Sequence, residues 1–273
     1  MNAPLSPAVP DYVPDSALND DLALALRLAD AADAVSVARF RANDLHVSTK
    51  PDRTFVTDAD QSVERAIRSL IAAERPDDGI YGEEYGIEGD SARQWIIDPI
   101  DGTANYLRGV PVWGTLIALV VDRIPVVGVA SSPALGKRWW AAKGGGAWAQ
   151  ESAGEPYSIR VSGVSELADA SISFQSVQQW DQAGYLDRLV ALTRQVWRDR
   201  AYGDLWSYTM LAEGLIDAVG EFGVQPYDVA ALIPIVEEAG GRFTSVTGES
   251  GLWSGEPLAT NGALHDALLE ALR

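Results

Sequence analysis

The segment that most constrains this chain is a short apolar run that leads directly into two aspartates. Residues 95–103 read Trp-Ile-Ile-Asp-Pro-Ile-Asp-Gly-Thr. Three bulky apolar residues in a row predict a buried strand. Pro99 then fixes the backbone, and Gly102 permits the close approach of another group. The strand therefore delivers Asp98 and Asp101 on one rigid turn, where they can share one divalent cation or bridge two.

The backbone of this turn adds two features. The carbonyl of Ile100 lies between the two aspartates and is a further hard oxygen ligand for a cation. Residues 103–106, Thr-Ala-Asn-Tyr, predict the start of a helix whose free N–H groups face the same point and would bind a phosphate. The alternative is a strand followed by an Asx-type turn whose carboxylates lie on the surface.

Other acidic residues stand at the predicted ends of secondary-structure elements. Glu83 follows a short apolar strand. Asp60 lies at the start of a helix predicted to end near Glu74, and Asp228 starts another that is predicted to run to about Ala239. Any one of these acids alone is more typical of an N-cap or an exposed residue. Several acids beside a phosphate-binding turn favour a two-metal hydrolase.

The composition excludes several other kinds of chemistry. The chain has 273 residues and a net charge of −18, and that charge argues against nucleic acid as a partner. Because the chain contains no cysteine, thiolate catalysis and sulfur-ligated metals are excluded. Because it contains only two histidines, a Ser-His-Asp triad is not favoured. His46 and His265 are predicted to be surface residues. Acid, base and metal chemistry therefore falls mainly to Asp, Glu, Thr and backbone groups.

The first 17 residues differ from the rest of the chain. They contain four prolines and no lysine or arginine, which predicts a mobile tail (residues 1–17) rather than a signal or transit peptide. No stretch approaches the roughly 18 uninterrupted apolar residues that a membrane span needs, so no membrane partner is predicted. These patterns predict a cytoplasmic protein.

The order of apolar patterns predicts a mixed α/β architecture with layered sheets and helices. Helices are predicted over residues 18–42 and 185–197. The glycine run at residues 144–146 predicts a hairpin turn, because no Gly-Lys-Ser/Thr follows it as in a phosphate loop. The chain is predicted to have two halves, without a sharp boundary between them. The N-terminal α+β half, residues 18–155, carries the metal and phosphate motifs. The C-terminal α/β half, residues 156–273, completes the metal site and the substrate pocket.

Three of these motifs together resemble a known family. Residues 82–84 (Gly-Glu-Glu), 98–103 and 227–230 (Tyr-Asp-Val-Ala) are similar, in order and spacing, to the signature motifs of the inositol monophosphatase family. With residues 56–60 (Val-Thr-Asp-Ala-Asp), the resemblance covers about residues 20–273. It implies the layered αβαβα sandwich of that family, a homodimer, and two or three Mg²⁺ ions per active site.

The resemblance also implies roles for the metal-binding residues. Glu83, Asp98 and the carbonyl of Ile100 would hold the first Mg²⁺ ion. Asp98, Asp101 and Asp228 would hold the second. In this arrangement Asp98 is a ligand that both ions share.

Catalytic and phosphate-binding roles follow in the same way. Asp60 and Thr103 resemble the pair that orients and deprotonates the attacking water, with Glu83 nearby. The backbone N–H groups of Gly102 and Thr103 would bind the phosphate. The resemblance thus implies a magnesium-dependent phosphomonoesterase that uses direct water attack on a small-molecule phosphate ester.

The segment around residue 204 resembles one branch of this family, the histidinol-phosphate phosphatases, which release histidinol and phosphate in histidine biosynthesis. Arg200, Asp204 and Glu221 are the predicted substrate-binding residues. Histidinol phosphate carries an ammonium and an imidazole that two added carboxylates can bind. A neutral polyol such as inositol offers no cation to offset the cost of burying an extra carboxylate. The alternative is that Asp204 only caps the helix that starts at Leu205.

Other functions remain open at the level of sequence. An inositol monophosphatase, or another small-molecule phosphatase of the same family, has the same metal motifs. The Asp-x-x-Asp turn is also superficially similar to the haloacid-dehalogenase-like phosphatases, but their two carboxylates are two residues apart near the N-terminus. A catalytically silent metal-binding interaction protein is a further alternative, and a turnover assay with Mg²⁺ separates it from an enzyme.

Overall fold

The computed structural model describes residues 18–49, 55–152 and 154–273, which form nine α-helices and fifteen strands. The predicted tail at residues 1–17 and most of the loop before Phe55 lie outside these ranges. The helices are α1 (Asn19–Arg39), α2 (Asp58–Glu74), α3 (Thr103–Arg108), α4 (Val177–Gln182), α5 (Leu186–Thr193), α6 (Asp204–Ala212), α7 (Pro226–Val229), α8 (Leu232–Glu238) and α9 (His265–Ala271). The strands are β1 (Val47–Thr49), β2 (Phe55–Thr57), β3 (Gly79–Gly82), β4 (Gly86–Glu88), β5 (Arg93–Asp101), β6 (Gly114–Val121), β7 (Ile124–Ser132), β8 (Lys137–Ala142), β9 (Ala147–Glu151), β10 (Tyr157–Ser158), β11 (Ser171–Phe174), β12 (Arg198–Arg200), β13 (Ala218–Gly220), β14 (Arg242–Ser245) and β15 (Pro257–Thr260). No helix in these ranges is long and apolar enough to cross a membrane.

The larger sheet has eight strands in the order β10-β9-β8-β7-β6-β5-β3-β4. Its neighbours pair antiparallel except β3 and β5, which are parallel. Trp95 and Ile97 of β5 pack with α1 and α2, whereas Ile96 packs with α6 and α8 on the opposite face. Because both faces are covered, the strand reads as a continuous apolar run rather than an alternating one.

The smaller sheet has five strands in the order β12-β11-β13-β15-β14. One face contributes Val219, Phe243 and Ala259 to the core that α6 and α8 share with the larger sheet. The other face, including Ala218 and Leu258, packs against α5 and α9. The layers therefore run α1/α2, larger sheet, α6/α8, smaller sheet and α5/α9, which confirms the predicted αβαβα sandwich.

Two predicted helices differ from the structure. The helix predicted over residues 185–197 ends at Thr193, and Arg198–Arg200 instead adds a parallel edge strand beside Ser171 to Ser173. The apolar pattern continues to Trp197, but this side chain is 69% exposed and gives the helix nothing to bury. The helix predicted over residues 228–239 is two helices, α7 and α8. The second begins just before Pro234, because proline lacks the N–H that a continuous helix would need there.

The glycine run forms the predicted hairpin between β8 and β9. The N–H groups of Gly144 and Gly146 donate to the two carboxylate oxygens of Glu238 at 2.8 and 2.9 Å. An acidic side chain therefore occupies the position that a phosphate would take in a phosphate loop. The hairpin is a structural element.

The two histidines have different environments. His46 is exposed, as predicted. The prediction that His265 lies on the surface is wrong: its side chain is fully buried at the start of α9. The two ring nitrogens lie 3.0 Å from the hydroxyls of Thr244 and Thr260. Burial, together with the nearby positive charge of Arg242, lowers the pKa of His265 to about 4, so it is a neutral structural residue.

A buried carboxylate holds the loop that follows β3. Glu64 of α2 is fully buried and forms an ion pair with Arg68, one turn further along the helix, at 2.8 Å. It also accepts hydrogen bonds from the backbone N–H groups of Glu84 and Tyr85 at 2.7 and 3.1 Å. A Cβ atom at Gly82 would lie 1.9 Å from a Glu64 carboxylate oxygen. The loop that presents Glu83 is therefore fixed by a contact that only glycine permits.

Gly82→Ala is expected to lower the free energy of unfolding by about 2 kcal/mol, because the added methyl group displaces Glu64 and its hydrogen bonds. Urea unfolding followed by circular dichroism measures this change. Gly163→Ala is the matched control, since a Cβ atom there meets no heavy atom within 4 Å. It is expected to change the free energy by less than about 0.5 kcal/mol. Equal stability of the two variants would contradict the role given to this contact.

Candidate active site

Two buried aspartates of β5 meet a partly buried aspartate from a distant part of the chain at the end of this strand. Asp98 and Asp101 lie at the C-terminal end of this strand, and Asp228 lies in the first turn of α7. One carboxylate oxygen from each lies within 4.8 Å of the others. Asp98 and Asp101 are 2% and 8% exposed. The predicted Asp-x-x-Asp turn is therefore an interior feature, and the alternative of surface carboxylates is wrong.

The electrostatics of this cluster are unfavourable without a cation. Burial is the main cause that raises the pKa of Asp98 and of Asp101 well above the usual range, and neighbouring carboxylates raise both further. Burial likewise raises the pKa of Asp228 to about 7. In the described ranges, no lysine or arginine forms an ion pair with any of the three.

The donor atoms of this cluster fit a hard divalent cation. All three side chains offer carboxylate oxygens, the ligand type that Mg²⁺ and Ca²⁺ prefer. One oxygen of Asp98 is buried and has no hydrogen-bond partner among the described residues. A buried carboxylate oxygen without a partner is costly unless a cation binds it. The cluster therefore has the composition and the unsatisfied charge of a metal site.

Asp60 lies beside this cluster and is held by the cap of α2. Its second carboxylate oxygen accepts from the backbone N–H and the hydroxyl of Thr57 at 2.8 and 2.5 Å. Its first oxygen lies 3.3 Å from the hydroxyl of Thr103, which is also 3.0 Å from the carbonyl of Ile100. Burial raises the pKa of Asp60 to about 6. It is a stronger base than an exposed aspartate but still ionises at neutral pH.

Gly102 forms the turn between β5 and α3. Its φ of +83° lies in the left-handed region, which glycine adopts without strain. A Cβ atom there would lie 3.1 Å from the carbonyl of Val112 and 3.2 Å from a carboxylate oxygen of Asp204. The helix begins at Thr103, as predicted. The first N–H groups of α3, which have no partner within the helix, therefore lie at the end of β5.

A cavity of about 280 Å³ joins the predicted site residues. Its walls include the metal-site and turn residues Glu83, Asp98, Ile100, Asp101, Gly102, Thr103 and Asp228, and also Asp204 and Glu221. Arg200 is not part of this wall. It is exposed on the edge strand β12 and donates to the carbonyl of its neighbour Asp199. The structure thus brings all but one of the predicted metal, phosphate and substrate residues to one cavity, with Asp60 behind Thr103.

Asp204 does not cap α6 through its side chain. Its backbone has a φ of +49°, and α6 begins at this residue with no side-chain cap. One carboxylate oxygen accepts from the amide of Asn105 at 2.8 Å, and the other accepts from the amide of Gln175 at 3.0 Å. The alternative that Asp204 is only a helix cap is therefore wrong. Burial raises the pKa of this carboxyl, which has neutral partners only.

Glu221 is the second substrate-site carboxylate, and it is 4% exposed. One of its oxygens accepts from the hydroxyl of Tyr208 at 3.1 Å, and the other has no partner among the described residues. Burial raises the pKa of Glu221 to about 8. A cationic ligand in the cavity would stabilise its ionised form and satisfy the free oxygen.

The sequence reasoning missed the residues that orient these carboxylates. Asn105, Gln175 and Tyr208 each hold a cavity acid but carry no charge. The backbone N–H of Leu205 donates to Asp101 at 2.5 Å, which places that carboxylate at the N-terminus of α6. In the sequence, the one signal of such a role is that the polar residue Gln175 stands directly after strand β11.

Comparisons with known proteins agree with this geometry. The sequence profile described as the inositol monophosphatase family matches residues 18–273. The chain is 52% identical to a histidinol-phosphatase of Mycobacterium tuberculosis, over 93% of this chain and 98% of that protein. It is 50% identical to a histidinol-phosphatase of Streptomyces coelicolor, over 96% and 97% of the two chains. Its structure is similar to that of an inositol monophosphatase from Zymomonas mobilis, with a TM-score of 0.82, 33% identity, and 94% and 99% of the chains covered.

Proposed function

This chain belongs to the inositol monophosphatase family, whose members are metal-dependent phosphoric monoester hydrolases, and we propose that it hydrolyses L-histidinol phosphate to L-histidinol and phosphate. One observation carries the choice of substrate. Two further carboxylates, Asp204 and Glu221, line the same cavity as the metal-site aspartates. A cationic leaving group gives both of them a partner, whereas a neutral polyol gives them none. The names of the two bacterial relatives support the same substrate.

We assign the metal-binding residues as the sequence predicts. Glu83, Asp98 and the carbonyl of Ile100 would hold one Mg²⁺ ion, and Asp98, Asp101 and Asp228 would hold a second. The close approach of the three aspartate oxygens supports the second set. When bound, such ions stabilise the charge that develops on the leaving oxygen and lower the pKa of a bound water from near 16 toward about 7. A third ion stays a prediction.

Asp60 and Thr103 would position and deprotonate the attacking water. The hydroxyl of Thr103 has one proton and lies near two acceptors, Asp60 and the carbonyl of Ile100. It therefore donates to one of them and keeps its lone pairs for a water in the cavity. Because Thr57 binds the other oxygen of Asp60, the oxygen near Thr103 is available to accept a proton through this hydroxyl. Glu83 lines the same cavity as Thr103.

The turn at Gly102 would bind the phosphate group of the substrate, and the carboxylates of Asp204 and Glu221 would bind its leaving group. The N–H groups of Gly102 and Thr103 are suited to the non-bridging phosphate oxygens. In the reaction a bond forms between the water oxygen and phosphorus, and the bond from phosphorus to the histidinol oxygen breaks. One proton of the water passes toward Asp60, and the leaving oxygen takes up a proton from solvent water to give the alcohol. Asp60 then releases its proton to solvent, which balances the reaction. No covalent phospho-enzyme forms, unlike in the haloacid-dehalogenase-like alternative.

Three earlier expectations stay predictions. A homodimer and a cytoplasmic location rest on the family resemblance and on the sequence pattern of the chain. The prediction that Arg200 binds the substrate is not supported by the structure of the cavity. Arg200 does not line the cavity, and its side chain is exposed on an edge strand.

Phosphate release across a panel of esters tests the proposed substrate. The purified protein with Mg²⁺ is expected to hydrolyse L-histidinol phosphate with a kcat/KM at least about tenfold above those for inositol 1-phosphate, fructose 1,6-bisphosphate and adenosine 3′,5′-bisphosphate. Removal of divalent cations with a chelator is expected to abolish release from all four. A preference for inositol 1-phosphate would instead make the chain an inositol monophosphatase.

Asp204→Asn tests the role of the added charge. Asparagine also tolerates the left-handed backbone at this position, so the fold is expected to persist. Losing one partner of a desolvated charged hydrogen bond costs about 2 kcal/mol or more. We therefore expect kcat/KM for histidinol phosphate to fall by about 30-fold or more. Activity on an ester with an uncharged leaving group, such as glycerol 2-phosphate, is expected to change by less than about threefold, because the metal site is intact.

Asp187→Asn is the matched control for this substitution. Asp187 is also an aspartate in the first turn of a helix, but it is exposed on α5. It is expected to leave both activities unchanged. An equal loss on both esters in Asp204→Asn would show that Asp204 supports the structure of the site rather than its selectivity.

A further inference from the structure

The catalytic cavity adjoins a second cavity, which we call the side pocket. This side pocket has a volume of about 370 Å³, and its walls include Gln179, Gln182, Phe222, Val224, Gln225 and Glu256. Gln179, Gly223 and Val224 line both spaces, so the two cavities adjoin along this edge. The segment that separates them follows directly after Glu221. A ligand bound to Glu221 therefore has the side pocket next to it.

Gln179 stands at the junction with an unsatisfied polar atom. Its amide oxygen is buried and has no hydrogen-bond partner among the described residues. A buried carbonyl oxygen costs free energy until a donor reaches it. Among the described residues that line the catalytic cavity, the only other buried side-chain oxygens without a hydrogen-bond partner belong to Asp98 and Glu221. Two of these three carry the metal and substrate roles assigned above, and the third has no assigned role.

The helix that carries Gln179 is firmly held. Ser176 caps α4 by accepting from the N–H of Gln178 at 3.2 Å. Trp180 is 2% exposed and packs edge-on against Phe222 with ring centroids 4.8 Å apart. Its ring also closes over Gly220, where a Cβ atom would lie 3.0 Å away. The neighbouring residue Gln179 is therefore held at the junction by the packing of its helix.

We propose that Gln179 is a specificity-determining residue that accepts a hydrogen bond from a ring N–H of the leaving group, with the ring in the side pocket. This inference rests on the proposed function. In histidinol phosphate the amino group is on the carbon next to the ester-bearing carbon, and the imidazole is attached one carbon further on. The ammonium suits the carboxylates of Asp204 and Glu221, since a charged donor binds best to a charged acceptor.

The imidazole suits the amide of Gln179 and the apolar walls of the side pocket. A ring N–H is a donor that a neutral amide oxygen can satisfy without an added charge. Phe222 and Val224 give the side pocket apolar walls for the faces of an aromatic ring. The order of groups along the substrate thus matches the order of groups along the cavity: phosphate at the turn, ammonium at the carboxylates, and ring at Gln179.

Gln179→Leu tests the proposed contact, because it keeps much of the volume and removes the acceptor. We expect kcat/KM for histidinol phosphate to fall about tenfold, which corresponds to about 1.4 kcal/mol. The inhibition constant of histidinol as a product inhibitor is expected to rise by a similar factor. O-phosphoethanolamine has the phosphate and the ammonium but no ring, so its kcat/KM is expected to change by less than about twofold.

Two further variants serve as controls. Gln178→Leu changes the exposed neighbour on the same helix and is expected to leave all three values unchanged. Gln179→Glu keeps an acceptor oxygen and is expected to retain product inhibition by histidinol within about threefold of the wild type. If Gln179 had only a structural role, Gln179→Leu would instead lower activity on histidinol phosphate and on O-phosphoethanolamine by a similar factor.

The outcomes also separate this inference from the proposed function. If the wild-type enzyme hydrolyses histidinol phosphate but Gln179→Leu keeps its kcat/KM and its inhibition by histidinol, the inference is overturned and the proposed function stands. Equal losses on histidinol phosphate and O-phosphoethanolamine would overturn it as well. If the wild type does not hydrolyse histidinol phosphate, the proposed function and the inference both fail.

Discussion

The interaction on which this structure depends is the repulsion between buried carboxylates that have no cationic side chain beside them. Asp98, Asp101 and Asp228 have raised pKa values because burial, and to a lesser extent the charges of neighbouring carboxylates, oppose their ionisation. Such a cluster destabilises the folded chain unless a cation binds it. The fold must therefore hold these groups together against their own repulsion, and it gains the lost free energy back only when metal binds.

The remainder of the fold supplies the restraint. The buried strand β5 carries two of the aspartates, and the core shared by both sheets fixes α6 and α7 against it. The N–H of Leu205 binds Asp101, and the N–H of Gln225 binds Asp228 at 2.6 Å. Asp101 and Asp228 are thus oriented by backbone groups rather than by charged side chains. That leaves their negative charges unneutralised and available to a metal ion, which an ion pair with arginine would prevent.

The sequence alone predicts the layered fold and the acids that meet in the cavity. Glu83, Asp98, Asp101 and Asp228 stand at element boundaries that local patterns reveal, and the family resemblance adds Asp204 and Glu221. What the sequence could not predict depends on contacts between distant segments. The burial of His265, the amides that hold Asp204, and the role of Glu64 behind Glu83 each require two elements to meet. The helix predicted through Trp197 was wrong for the same reason: the edge of a sheet, which is invisible in the local pattern, recruits Arg198–Arg200 as a strand.

Thermal unfolding at pH 8 with and without Mg²⁺ tests the central claim most directly. At this pH the carboxyls with raised pKa values are driven toward ionisation, so stability of the metal-free protein is lost as the pH rises through about 7, the pKa of Asp228. Without metal, Asp98→Asn is predicted to unfold at a midpoint at least about 2 °C above that of the wild type, because it removes one repelling charge. With saturating Mg²⁺ the wild type is predicted to gain stability and the variant to gain little. A metal-free variant no more stable than the wild type, or an equal gain with Mg²⁺ in both proteins, would contradict the account.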